Sequence, residues 1–81
     1  MKKNNIVIVG AGYVGMSLAT LLSINDNVNV IDIDKKKINK ILNKESPILD
    51  KLISKYLKTK KLLLSASIFK KDIYKKANFI I

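Results

Sequence analysis

The sequence contains no cysteine and no histidine. Without cysteine, these residues can form no disulfide, no thiolate metal site and no cysteine nucleophile. Without histidine, they lack the commonest general base and metal ligand. We therefore expect neither a metal site nor a catalytic residue within this stretch of sequence.

Arginine is absent as well, so all 16 basic residues are lysines, and the net charge is +10. A strongly basic chain raises the possibility of a nucleic-acid partner or an anionic membrane surface. However, proteins that read phosphates and bases favour the arginine fork, and these lysines are spread along the chain. We expect no nucleic-acid partner and attribute the charge to solvated lysine.

The 81 residues suffice for one small domain with a hydrophobic content of 48%, which is ordinary for a globular protein. The opening Met-Lys-Lys, followed by apolar residues, superficially resembles a signal peptide. Asn4 and Asn5 interrupt that pattern, and glycines occupy the place of a helical apolar segment. No apolar run reaches the ~20 residues of a membrane span. We expect a cytoplasmic protein without a membrane partner.

Glycine is scarce, and its three copies fall in one motif, Gly10-x-Gly12-x-x-Gly15. Residues 5–9 before the motif are almost entirely apolar and mostly β-branched, which predicts a buried strand. Residues 13–24 after it are apolar nearly all round, which predicts a largely buried helix. The motif therefore joins a strand to a helix.

Alternating strand and helix patterns continue to the end of the sequence. We predict strands at 28–32 and 62–66 and from residue 78, and helices at 35–43 and 69–76. Ser46 and Pro47 predict a further helix start, with Ser46 as the cap and Leu49, Leu52, Ile53 and Tyr56 on its apolar side. This alternation predicts an α/β fold, a partial doubly wound parallel sheet of Rossmann type in the order 3-2-1-4.

Each glycine of the motif suits contact with a dinucleotide. Gly10 permits the tight turn, Gly12 lets the backbone approach a pyrophosphate, and Gly15 lets the helix pack closely on the sheet. Amides from Ala11 to Val14 would then face the phosphates at a helix N-terminus. The alternative is a purely structural glycine-rich turn that binds no ligand.

Asp32 strengthens the ligand interpretation, because it ends the second strand twenty positions after Gly12. A carboxylate at that spacing accepts hydrogen bonds from the adenosine ribose hydroxyls. It should also repel a 2′-phosphate, which favours NAD over NADP. Lys35, Lys36 and Lys37 could accommodate such a phosphate, although the first two also suit a solvated helix start. Asp34 could cap that helix.

At this point the residues resemble the UDP-glucose/GDP-mannose dehydrogenase family. The opening Ile-Val-Gly-Ala-Gly-Tyr-Val-Gly-Met-Ser is similar to the family's first strand and phosphate turn, and Tyr13-Val14 is more specific than the glycines. The segment around Asp32, the helix region 43–57 and the final residues 75–81 are also similar. The resemblance covers essentially the whole sequence.

The resemblance implies NAD as cofactor and a two-step oxidation of a nucleotide sugar at C6 to a carboxylate. It implies cofactor contacts at the turn and beyond it, at Gly10, Ala11, Gly12, Tyr13, Val14, Gly15, Asp32 and Lys37. The family's catalytic cysteine, its supporting residues and its sugar-nucleotide domain lie downstream. We therefore expect residues 1–81 to be the N-terminal part of the dinucleotide-binding domain, truncated at the fourth strand and inactive alone.

Several alternatives stay open at this stage. A separately encoded remainder could complement the fragment, or the chain could be a stand-alone nucleotide-binding module. It could also be a poorly folding remnant, because the fourth strand would expose Phe79, Ile80 and Ile81 at an edge. The nucleotide sugar, which would meet only the missing domain, could be UDP-glucose, GDP-mannose or a UDP-N-acetylhexosamine.

Overall fold

The computed structural model describes residues 3–81. Strands and helices alternate along the chain, with two consecutive helices between the second and third strands. Their bounds are β1 Asn5–Val9, α1 Tyr13–Leu22, β2 Asn27–Ile31, α2 Lys35–Leu42, α3 Lys51–Thr59, β3 Leu64–Ser67, α4 Lys71–Lys75 and β4 Phe79–Ile80. The predicted elements are confirmed, with ends that move by one to three residues in most cases.

The four strands form one parallel sheet in the order β3-β2-β1-β4, which confirms the predicted topology. β1 and β2 lie at its centre, with Ile6 opposite Val28 and Ile8 opposite Val30. From β1 the chain adds β2 and β3 on one side and then crosses back, so that β4 pairs with β1 on its other side. The switch point of the strand order therefore lies between β1 and β4. In open parallel sheets, ligands bind at the carboxyl ends of the strands beside such a switch point.

The hydrophobic core lies between one face of the sheet and the helices α1, α2 and α3. Because side chains alternate along a strand, Ile6 and Ile8 share this face with Val28 and Val30 of β2. Met16 and Ala19 of α1 pack against them. Burying an Ile, Val or Met side chain fully contributes about 1.5–3 kcal/mol, so these few residues supply much of the driving force for folding.

Two predictions about the helices were wrong. The first helix is not largely buried: Met16, Ala19 and Thr20 are buried, whereas Tyr13, Val14 and Leu21 are exposed. The physical reason is that α1 packs on only one face of the sheet, with α3 beside it. Within residues 3–81, no layer covers its outer side.

The predicted helix start at Ser46 and Pro47 was also wrong. Ser46 Oγ donates to the Ile48 carbonyl at 2.6 Å and accepts from its N–H at 3.3 Å, so this hydroxyl stabilises a local turn. The helix α3 begins at Lys51, and Asp50 caps it. Leu49 consequently lies before the helix and is fully exposed, and Leu52 is mostly exposed. Ile53 and Leu57 form the buried side of α3.

The edge of the sheet at β4 is apolar and open to solvent. Phe79, Ile80 and Ile81 are each more than half exposed, as expected from the sequence. β4 pairs with β1, and the hydrogen bonds from Val9 N to Ile81 O and from Ile81 N to Val7 O extend that pairing. None of the helices in residues 3–81 has the length and apolar character needed to cross a membrane.

Candidate dinucleotide-binding site

The glycine motif forms the turn between β1 and α1, at the carboxyl end of the central strand. Gly10 has φ +102°, a conformation that side-chain-bearing residues rarely adopt. Its N–H donates to the Ile31 carbonyl at 2.7 Å, which fixes the turn against the end of β2. The predicted role of Gly10 in a tight turn is therefore confirmed.

Gly15 and Gly12 differ in the space around them. A Cβ on Gly15 would collide with the Gly10 carbonyl oxygen and lie 3.2 Å from Ile8 Cγ2, so only glycine fits this close approach of helix and strand. A Cβ on Gly12 would meet nothing within 4 Å. The fold therefore requires glycine at position 15, whereas position 12 borders open space in which a ligand could lie.

The start of α1 offers hydrogen-bond donors that nothing in the described part of the chain accepts. Gly12 is the N-cap and carries no side chain, and no acidic residue lies in the first turn. The N–H groups of Gly12, Tyr13, Val14 and Gly15 make no hydrogen bond within residues 3–81. Together with the helix dipole, such groups form a site suited to an anion.

The Ala11 amide does not belong to this set, which corrects the expectation that amides from Ala11 onward would face a phosphate. Ala11 is fully buried, and its N–H donates to Asp32 Oδ2 at 2.8 Å. The available amides therefore begin at Gly12. The sequence pattern did not predict this hydrogen bond, because it joins residues 21 positions apart.

Asp32 lies just beyond β2 and faces the turn, as the spacing predicted. Its Oδ1 accepts from the Asp34 N–H at 2.8 Å, in addition to the bond from Ala11. These backbone donors, Ala11 first, hold the pKa of the Asp32 carboxyl below its ordinary value, and the charge of Lys37 adds to the effect while partial burial opposes it. The carboxylate is thus ionised at neutral pH, as an acceptor for hydroxyl groups should be.

The lysines after Asp32 differ in their position. Lys35 and Lys36 are exposed at the start of α2, whereas Lys37 is half-buried and acts electrostatically on Asp32. Asp34 caps α2 by accepting from the Lys36 N–H at 2.9 Å, which confirms the alternative role suggested for it. The start of α2 therefore already has a carboxylate of its own.

A groove of about 370 Å³ lies elsewhere, on the face of the sheet opposite α1. Val7 forms part of its floor, and Asn5, Asn29, Ile73 and Lys76 contribute to its walls. It contains no carboxylate and no unpartnered helix start. The chemistry suited to a dinucleotide is therefore concentrated at the glycine turn.

Together, the parallel sheet, the glycine turn at its switch point and the acid after β2 define a Rossmann-type dinucleotide-binding domain. The family description "UDP-glucose/GDP-mannose dehydrogenase family, NAD binding domain" matches residues 4–81. The chain belongs to this family, and its cofactor is NAD.

Two curated relatives are similar to nearly the whole chain. The UDP-glucose 6-dehydrogenase of Streptococcus pneumoniae is 47% identical over 76 residues, which are 94% of this chain and 19% of that protein. The UDP-glucose 6-dehydrogenase of Campylobacter jejuni subsp. jejuni is 45% identical over 78 residues, 94% of this chain and 20% of that protein. The chain thus spans about a fifth of the length of these relatives.

Proposed function

We propose that residues 1–81 are the N-terminal part of the NAD-binding domain of a UDP-glucose 6-dehydrogenase-like oxidoreductase. The observation that carries this proposal is the set of amides from Gly12 to Gly15, which have no acceptor within residues 3–81. Open space lies where a Gly12 side chain would be, and the ionised Asp32 carboxylate is bonded to the preceding residue, Ala11. The similarity to two UDP-glucose 6-dehydrogenases supports the substrate class.

The residues present fit the cofactor. The amides from Gly12 to Gly15 would hold the pyrophosphate, and the dipole of α1 would favour its negative charge. Asp32 would accept hydrogen bonds from the adenosine ribose hydroxyls. A carboxylate has roughly four lone-pair positions, and the hydrogen bonds from the Ala11 and Asp34 N–H groups use two of them. Lys37 would balance the charge of Asp32. Bound NAD supplies a hydride acceptor for the oxidation of an alcohol.

Selection of NAD over NADP would come from the acids that follow β2. Asp32 would repel a 2′-phosphate, and Asp34 occupies the start of α2 with its own carboxylate. Neither Lys35 nor Lys36 can offer the bidentate fork that arginine brings to a phosphate. We therefore expect the discrimination against NADP to weaken when the Asp32 charge is removed.

The chemistry on the sugar would need groups that this sequence does not contain, since it has no cysteine and no histidine. The oxidation of UDP-glucose to UDP-glucuronate is therefore proposed for the whole enzyme, with a further polypeptide segment or a separately encoded remainder supplying the sugar site. The apolar edge at Phe79–Ile81 supports such an association, because exposed apolar strand edges invite pairing. A cytoplasmic location stays a prediction.

Calorimetric titration of the chain with NAD and NADP tests the proposal, with Gly12→Val and Asp32→Ala as variants. We expect weak NAD binding by the unaltered chain, none by Gly12→Val, and reduced affinity with less discrimination against NADP in Asp32→Ala. Chemical denaturation of each variant provides the control for folding. Equal NAD affinity in all three folded proteins would contradict the assignment, as would binding of a nucleic acid without any binding of NAD.

A further inference from the structure

The Asp32 carboxylate connects two turns that are far apart in the sequence. Its Oδ2 accepts the Ala11 N–H of the β1–α1 turn, and its Oδ1 accepts the Asp34 N–H at the start of α2. Both distances are 2.8 Å, within the range of short charge-assisted hydrogen bonds. The side chain therefore has a structural connection to the glycine turn that does not depend on any ribose.

We propose that Asp32 is a positioning residue for the glycine turn, holding the Ala11 peptide so that the amides from Gly12 to Gly15 stay available to a diphosphate. This inference rests on the proposed function, and it adds a second role to the ribose contact. The turn is then fastened to the end of β2 at two successive residues, through Gly10 N to Ile31 O and through Ala11 N to Asp32.

The burial of Ala11 explains why this bond matters. Ala11 is 0% exposed, so water cannot replace the carboxylate as an acceptor for its N–H. A buried donor left without a partner costs about 1–3 kcal/mol. Without the acceptor, the turn would gain by rotating the Ala11 peptide toward another partner, and Gly12, the next residue and the N-cap of α1, would move with it.

A ligand without ribose hydroxyls separates the two roles of Asp32. If the carboxylate acted only through the ribose, its loss would not affect the binding of 2′,3′-dideoxyadenosine diphosphate, apart from the effect of charge. If it positions the turn, its loss weakens the binding of that compound as well. The charge effect has the opposite sign, because removing an acid favours an anionic ligand.

The experiment compares Asp32→Ala with Asp34→Asn, which removes the same charge two residues further along and leaves the Ala11 bond untouched. Alanine is used at position 32 because asparagine would keep one oxygen that can accept the Ala11 N–H. Asparagine also caps helices well, so α2 keeps its start in the control. We expect Asp32→Ala to bind the dideoxy compound roughly tenfold more weakly than Asp34→Asn, as for the loss of one charge-assisted hydrogen bond. In the ligand-free protein, amide exchange at Ala11 should become faster only in Asp32→Ala.

Equal affinity of the two variants for the dideoxy compound, with unchanged exchange at Ala11, would overturn the positioning role. If Asp32→Ala does not fold, the unaltered chain still tests the proposal, through the scalar coupling across the hydrogen bond between Ala11 ¹⁵N and Asp32 ¹³Cγ. Absence of that coupling would count against the proposal. Failure of the unaltered chain to bind NAD would instead refute the proposed function, and the Ala11 measurements would remain decisive for the connection itself.

Discussion

The N-terminus of α1 differs from the N-termini of α2 and α3. The N-cap of α2 is Asp34, whose carboxylate accepts from Lys36 N at 2.9 Å, and the N-cap of α3 is Asp50, whose carboxylate accepts from Ile53 N at 2.9 Å. The N-cap of α1 is Gly12, which offers no side-chain acceptor, and the first turn of α1 contains no acid. A helix start that lacks its own acceptor suits an external anion, whereas a capped start has no such need.

The three glycines of the motif also differ in whether the fold requires them. Gly10 and Gly15 are required by the fold, one through its positive φ and the other through its contact with the Gly10 carbonyl. Gly12 is extended, with φ −88°, and has open space around it, so the fold alone would accept other residues there. We therefore propose that the glycine at position 12 serves the binding of the ligand and not the fold.

The largest effect is expected from Gly15→Ala. The added Cβ would overlap the Gly10 carbonyl oxygen, a backbone atom that cannot move away cheaply. We expect the free energy of unfolding to fall by about 3 kcal/mol, at the upper end of the cost of overpacking, which is a large part of the stability of a small domain. Urea denaturation measures it, with Gly12→Ala as the matched control. Equal destabilisation by the two substitutions would remove the distinction between these glycines.

The next largest effect is expected from Gly12→Asp, which gives α1 an aspartate N-cap like those of α2 and α3. The extended backbone and open space at position 12 allow an aspartate N-cap, which should raise the free energy of unfolding by a few tenths of a kcal/mol. The carboxylate would occupy the amides and repel the pyrophosphate, so NAD affinity should fall at least tenfold, about 1.4 kcal/mol or more. Denaturation and calorimetry measure the two quantities.

Stability and binding should thus change in opposite directions in Gly12→Asp. Gly12→Ala is the control, since it adds a Cβ without a charge or an acceptor. If Gly12→Asp bound NAD as well as the unaltered chain does, the start of α1 would not be the pyrophosphate site. The comparison between capped and uncapped helix starts would then concern folding only.

The sequence predicted the sheet order and the approximate elements because strand and helix periods are strong in this chain and the glycine motif is flanked by both. It predicted the position of Asp32 as well, from spacing alone. It did not predict the Ala11–Asp32 hydrogen bond, because a single long-range hydrogen bond produces no periodic pattern in the sequence. The prediction of where α3 starts was wrong. Ser46-Pro47 and Asp50 are both typical of a helix N-terminus, and only packing decides between them.

A smaller effect is expected from removing the observed cap of α3. Asp50→Ala should lower the free energy of unfolding by about 1 kcal/mol, the usual value for an N-cap. Ser46→Ala is the matched control, because Ser46 stabilises a local turn and makes no bond to the helix. Urea denaturation of both variants measures the difference. A larger loss in Ser46→Ala would favour the helix start that the sequence first indicated.

The smallest effect concerns the pH dependence of stability that the Asp32 carboxylate contributes. The pKa of Asp32 is lowered in the folded state by the Ala11 and Asp34 amides. Its contribution to stability is therefore present above the ordinary aspartate pKa of about 3.9 and is lost as the pH falls through the lower folded-state value. Because the carboxylate is only partly buried, solvent screening keeps this contribution small.

Asp32→Asn should remove this part of the pH dependence of the urea midpoint below about pH 4, and Asp34→Asn should leave it in place. The reason is that the Ala11 N–H, which is the largest cause of the lowered pKa of Asp32, donates to the Asp32 carboxylate and makes no bond to Asp34. Identical pH profiles for the unaltered chain and Asp32→Asn would mean that the carboxylate gains nothing from Ala11. The glycine turn would then hold its shape through the Gly10–Ile31 bond alone.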